Sequence, residues 1–179
     1  IIEFTVECGR PDSITREKLE TMKKYEVSRI SINPQTMNDE TLKLIGRNHS
    51  VEDVKEKFNM ARELGFKDIN MDMIIGLPGE GYKEALNTAR EIKKLKPDSL
   101  TVHGLSLKRG SRLYENFILK KGLGIKNQDE ITKMYNESKE LSKELNLKPY
   151  YMYRQKNMVG NMENIGYAKE GKECIYNMQ

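Results

Sequence analysis

Apolar positions follow two rhythms along this chain. Short runs rich in Ile, Val, Thr and Met recur at 3–8, 29–33, 68–75 and 99–105, which is the composition of buried strands. Between them, residues 15–25, 39–45, 51–64 and 82–95 carry apolar side chains at helical spacing,. Ser50 can cap the helix that begins at Val51, with Asp53 in its first turn, and Gly65 follows Leu64 as a stop,. Strand and helix in regular alternation predict parallel strands joined by right-handed crossovers, an α/β fold. A complete eight-stranded barrel takes about 250 residues. Four such strands therefore predict a partial (β/α) TIM-like barrel, whose open edges and partly exposed apolar interior would favour self-association.

The pattern changes after Ser106. Residues 112–119 read as a short helix, Lys120-Lys121-Gly122 as a break, and 128–145 as a long amphipathic helix with Ile131, Met134, Tyr135, Ser138 and Leu141 along one face,. Residues 149–157 form an aromatic strand candidate, and the tail from 158 to 179 is rich in Gly and Asn and ends without a cap. The division expected is a barrel portion over 1–110 and a C-terminal extension over 111–179 that packs on it.

Composition narrows the class. With 32% charged residues and a mean hydropathy of -0.74, the chain has no apolar stretch long enough to span a membrane, and a cytoplasmic location is expected,. Net charge is only +4, with Lys and Glu interspersed along the helices, so the surface reads as solvated rather than as a nucleic-acid stripe,. Cys8 and Cys174 have no CxxC partner, which excludes a cysteine cluster of three or four ligands within these residues and predicts reduced, unpaired thiols,. Of the ten methionines, Met22, Met60, Met71 and Met73 fall at core spacing,. The start at Ile1, without Met, cap or turn, leads us to expect an excised piece of a longer protein.

One position breaks the pattern of the third strand. Asp72 sits inside Ile69-Asn70-Met71-Asp72-Met73-Ile74-Ile75, and burying a carboxylate costs several kcal/mol unless it is compensated, so a functional role is expected. In parallel β/α folds the active site lies at the carboxyl ends of the strands. Those ends here supply Glu7, then Asn33-Pro34-Gln35, then Asp72, then His103, Gly104 and Ser106, with Arg47 in a nearby loop. Two carboxylates, an amide and a guanidinium suit a ligand with hydroxyls, an amine and a carboxylate. Bland alternatives stand beside each: Glu7 paired with a basic neighbour, Arg47 solvated, His103 satisfying a core hydrogen bond, His49 a loop or cap residue. The Gly76-Leu77-Pro78-Gly79 turn lacks the GxxxxGK[ST] pattern of a phosphate loop,. No strand end offers the lysine that a Schiff-base aldolase would need,.

Three separated stretches carry a resemblance: residues 29–37, 44–49 and 70–79 look like the radical S-adenosylmethionine enzymes related to oxygen-independent coproporphyrinogen III oxidase. Residues 6–12, 151–157 and 164–168 resemble the HemZ branch of that family, so the likeness covers essentially the whole chain. It implies the radical SAM type of partial barrel, here its C-terminal half. It also implies S-adenosylmethionine and a [4Fe-4S] cluster as cofactors, with Glu7, Gln35, Arg47, Asp72 and Ser106 on cofactor-binding positions. The implied reaction is oxidative decarboxylation of coproporphyrinogen III propionates to vinyl groups in heme biosynthesis, with an electron donor protein as partner. Heme binding and delivery is the alternative role among relatives. Tyr151, Tyr153 and Arg154 are candidates for the porphyrinogen side, because aromatic faces suit a macrocycle and Arg suits its carboxylates; the alternative is a packed edge strand,. The family's CxxxCxxC motif is absent and would lie upstream of Ile1, so these residues alone are expected to be inactive. Asn33-Pro34 stands where the wider family has Gly-Val.

Overall fold

The computed structural model describes residues 3–106, 127–154, 158, 160 and 162–178. Four strands, β1 (Thr5–Glu7), β2 (Arg29–Gln35), β3 (Ile69–Ile75) and β4 (Ser99–Gly104), pair in parallel and in chain order. The crossovers between them carry helices α1 (Arg16–Lys24), α2 (Asp39–Leu44), α3 (Val51–Glu63) and α4 (Tyr82–Leu95). A fifth helix, α5 (Gln128–Glu144), packs beside α4. This is the expected partial β/α barrel. The helix expected over 112–119 and the segment 155–157 lie outside the described residues.

Local chemistry sets the helix ends as the sequence suggests. Ser50 Oγ accepts from the Asp53 N–H at 3.1 Å while the Asp53 carboxylate accepts from the Ser50 N–H at 2.7 Å, a reciprocal capping box,. Asn127 caps α5 in the same sense, accepting from the Glu130 N–H at 2.9 Å,.

The sheet has two chemically distinct faces, because side chains alternate along a strand. Ile30, Ile32, Ile69, Met71, Met73, Ile75, Leu100 and Val102 meet Leu19, Phe58, Ile92, Met134 and Leu141 in one buried core beneath the helices. The intervening positions Ser31, Asn33, Asn70, Asp72, Thr101 and His103 belong to the opposite, inner face, away from the crossover helices α1 to α4, and they are polar. The expectation of a partly exposed apolar interior is thus corrected: the period of two sends the apolar set to the helices and leaves a polar inner wall.

The tail adds to the sheet. It contributes a strand, β6 (Asn164–Ala168), which inserts between β4 and the aromatic strand β5 (Lys148–Tyr153) and runs antiparallel to both. The order is β1-β2-β3-β4-β6-β5, so the edge of β4 is covered. Gly166 of β6 makes this possible. A Cβ built there would stand 1.9 Å from Tyr151 Cε1, so only glycine lets that ring lie flat across the strand.

Charged contacts fasten the rest of the tail to the starting ends of the strands. Arg29 reaches Asp68 at 3.0 Å and donates to the Lys172 carbonyl at 3.0 Å, and the Ile175 N–H donates to the Glu3 carboxylate at 2.9 Å. Asp98 accepts from Arg62 at 2.7 Å, Lys169 at 2.9 Å and the Ile69 N–H at 3.1 Å. Burial works against its charge, yet these donors together hold its carboxyl below the usual range,.

Gly166→Ala should destabilise the chain by about 1–3 kcal/mol, the usual cost of over-packing. Urea unfolding measures it, and a change within a few tenths of a kcal/mol of zero would mean that Tyr151 yields freely.

Candidate functional site

The site is built where β2 and β3 end side by side. The register between them breaks between Ile32 and Gln35, across Pro34, which has no N–H to give to the ladder,. Gln35 then adopts a left-handed conformation, φ +69°, which costs a non-glycine residue roughly 1–2 kcal/mol,. Its N–H thereby points at Asp72, donating to Oδ1 at 2.9 Å, and its side-chain Nε2 donates to Oδ2 at 3.4 Å. Hydrogen bonds to a carboxylate are among the stronger ones and offset the strain.

Asp72 is 5% exposed. Burial is the main cause that pushes its pKa up to about 7; the Gln35 N–H and the Arg47 charge pull it down, and Glu7 pushes it further up,. Glu7, at the end of β1, accepts from Ser31 Oγ and, at 3.4 Å, from Asn33 Nδ2. Because a carboxylate can only accept, the Asn33 amide is oriented by that contact. Its Oδ1 is buried with no hydrogen-bond partner among the described residues,. His103 is hydrogen-bonded by Asn164, whose Oδ1 also accepts from the Gly104 N–H at 2.9 Å; burial lowers the imidazole pKa, against the Asn164 contact and the Glu7 charge.

These groups share a cavity of about 210 Å³ on the inner face, lined by Glu7, Asn33, Asn70, Asp72, Thr101, His103 and Tyr151, with Arg29, Cys174 and Asn177 completing the wall. Acceptors dominate the part around Glu7, Asn33 and Asp72. Arg47 is half-buried in the loop after α2 and forms no ion pair among the described residues. Next to it His49 is 3% exposed, and burial lowers its pKa. It lies in the loop just before the cap residue Ser50, as expected, and is buried there.

The structure brings Glu7, Gln35 and Asp72 together, with Arg47 close enough for its charge to be felt at Asp72. Ser106 lies beyond β4, bridged to Met158, and is not part of the cavity wall. Tyr151 lines the cavity, and its ring stacks on Tyr153 at 6.1 Å and 7°. Arg154 pairs with Glu163 at 3.6 Å and borders a different groove of about 490 Å³, with Lys139, Lys143 and Met152. Asn70 and Thr101 are wall residues that the sequence pattern did not single out. The signal was there, since Asn70 and Asp72, like Thr101 and His103, are two apart and so share the inner face.

Comparison with known proteins gives the arrangement a family context. The model of the Radical SAM superfamily matches residues 1–92. The chain is 51% identical over 178 residues to the oxygen-independent coproporphyrinogen-III oxidase-like protein HemZ of Bacillus subtilis, covering 99% of this chain and 35% of that protein. It is 35% identical over 133 residues to the heme chaperone HemW of Bacillus subtilis, covering 74% of this chain and 35% of that protein. The chain thus spans about a third of the length of these curated relatives. Among solved structures, coproporphyrinogen III oxidase HemN from Escherichia coli superposes with a TM-score of 0.71 at 21% identity, covering 93% of this chain and 35% of that one. The archaeal Elp3 of Methanocaldococcus infernus gives 0.67 at 24% identity, covering 76% and 32%. These two likenesses establish the fold.

The pKa of Asp72 has a consequence for stability. Its folded value, about 7, lies above its ordinary 3.8, so the folded state binds the proton more tightly. The contribution is fully present below about pH 4 and is lost as pH rises through about 7. Asp72→Asn, which keeps an acceptor for Gln35, should therefore gain stability over the parent chain at about pH 8 relative to about pH 5, at roughly 1.4 kcal/mol per pKa unit. Denaturant melts at both pH values check this, and an equal effect at each would overturn the assignment.

Proposed function

This chain belongs to the radical SAM superfamily, and from that membership we propose that its strand-end pocket binds S-adenosylmethionine within a protein of porphyrin metabolism. The observation that carries the reading is the buried Asp72 carboxylate, fixed by Gln35, with Glu7 on the same cavity wall and Arg47 nearby without an ion pair among the described residues. S-adenosylmethionine presents a ribose diol, an ammonium and a carboxylate. In the proposed assignment Asp72 accepts from the ribose, Glu7 from a donor across the cavity, and Arg47 takes the carboxylate through paired N–H groups.

The superfamily's second cofactor is a [4Fe-4S] cluster, and the residues present do not fit it. Two cysteines cannot supply a CxxxCxxC ligand set, and no group of three or more His, Cys, Asp or Glu among the described residues could hold a metal. Burial and the Glu7 charge also push the Cys8 thiol up to about 11, against thiolate formation,. The part these residues play is to orient the ligand and keep it from water, as is general when a cofactor carries the reaction.

For the whole protein we propose oxidative decarboxylation of a porphyrinogen propionate, with Tyr151 and Tyr153 forming an aromatic wall for the macrocycle. Identity to HemZ and the HemN-like fold support it. Heme binding and delivery is the second reading, favoured by the similarity to proteins named heme chaperones.

Asp72→Ala and Arg47→Ala in the full-length protein should each weaken S-adenosylmethionine binding about 10- to 100-fold, the loss of a charge-assisted hydrogen bond, without unfolding the sheet. Equilibrium dialysis with circular dichroism checks both, and unchanged affinity removes that residue from the site. Titration of the full-length protein with heme and with coproporphyrinogen separates the two roles: decarboxylation supports the enzyme, and tight heme binding without turnover, despite a reconstituted cluster and reductant, supports the chaperone.

A further inference from the structure

Glu80 is 2% exposed, in the turn between β3 and α4, and no cation pairs with it among the described residues. Its carboxylate is instead met by neutral donors. Thr36 Oγ1 donates to Oε1 in a short hydrogen bond, Asn38 Nδ2 donates to the same oxygen at 3.1 Å, and the Thr41 hydroxyl also bonds to the carboxylate. Burial pushes the Glu80 carboxyl pKa up against these donors, and a buried acid without a counter-ion is costly, so three donors gathered on it indicate that the geometry they impose has a use.

What they impose is the path of the chain after Gln35. Residues 36–38 are tied to α4 at several polar atoms. The Met37 N–H donates to Thr88 Oγ1 at 3.0 Å, Asn38 Nδ2 donates to the Glu84 carbonyl at 3.1 Å, and Asn87 Nδ2 donates to the Met37 carbonyl and to Asn38 Oδ1, both at 2.9 Å. Glu80 thus joins the loop leaving β2 to the turn leaving β3, the two strands that deliver Gln35 and Asp72. The connections close a ring. Gln35 binds Asp72, β3 and the turn after it lead from Asp72 to Glu80, and Glu80 binds Thr36, the residue next to Gln35.

We infer that Glu80 is a positioning residue: through Thr36 and Asn38 it holds Gln35 in its left-handed conformation and so aims the Gln35 N–H at Asp72. Without it Gln35 relaxes toward the ordinary β region, and the acceptor pattern of the cavity shifts. The consequence for ligand affinity rests on the S-adenosylmethionine reading above; the consequence for the backbone does not.

The test uses Glu80→Leu and Thr36→Val, with Glu80→Gln as the conservative variant, in the full-length protein. Amide hydrogen exchange over residues 35–38 should accelerate at least about 10-fold in Glu80→Leu and Thr36→Val, while β3 amides keep their protection, and Glu80→Gln should stay close to the parent. The S-adenosylmethionine dissociation constant should rise about 10-fold in the first two and less than about 3-fold in the third. Unchanged exchange at 35–38 in folded Glu80→Leu or Thr36→Val overturns the inference, as does faster exchange with unchanged affinity where Asp72→Ala does weaken binding. If Glu80→Leu does not fold, Thr36→Val decides. If Asp72→Ala and Arg47→Ala leave affinity intact, the cofactor reading fails, and the exchange data still judge the clamp.

Discussion

The contact between the Gln35 N–H and the Asp72 carboxylate is the constraint around which this fold is arranged. A carboxylate in the middle of a sheet loses hydration worth several kcal/mol, and the left-handed turn at Gln35 adds its own cost,. Neither would persist alone. Together they satisfy one another, and the surrounding elements hold them in register: the ladder between β3 and β4 that sets Asp72 opposite Thr101, and the polar stitching of residues 36–38 to α4.

That pair also explains why the inner wall is polar. A sheet with α-helices packed on both faces needs apolar residues on both, whereas here the inner face, opposite the crossover helices, carries Glu7, Ser31, Asn33, Asn70, Asp72, Thr101 and His103. Such a face cannot form a second core and gains nothing from closing tightly on itself. It has the chemistry of a binding wall, and the chain completes the sheet laterally instead, through β6 and β5. Gly166 gives up a side chain so that Tyr151 can lie over the strand and extend the wall with an aromatic surface.

Much of this was legible in the sequence because the signals are local. The alternation of strand and helix, the Ser50–Asp53 cap and the apolar stripe from Ile131 to Leu141 all appear as read. Asp72 stood out because one charge interrupted a uniform apolar run. The strand β6 did not stand out: Asn164-Ile165-Gly166-Tyr167-Ala168 has weak intrinsic strand preference, and its pairing with β4 is made across some sixty residues of chain. Glu80 was hidden for a related reason. A glutamate after Gly-Leu-Pro-Gly looks like a solvated turn residue, and only the folded chain brings Thr36 and Asn38 to it.

The placement of the cations bears on which end of a ligand meets which wall. Arg29, Arg62 and Lys169 are spent at the starting ends of the strands on Asp68 and Asp98, so they do not answer a ligand at the opposite ends. Arg154 follows Tyr153 at the end of β5 but leans toward Glu163, and both side chains are about half exposed. An exposed pair of that kind is worth about 0–1 kcal/mol, less than a paired Arg–carboxylate contact with a bound ligand can return. Glu163 therefore does not fix the direction of Arg154, whereas Arg47 has no ion pair to break among the described residues.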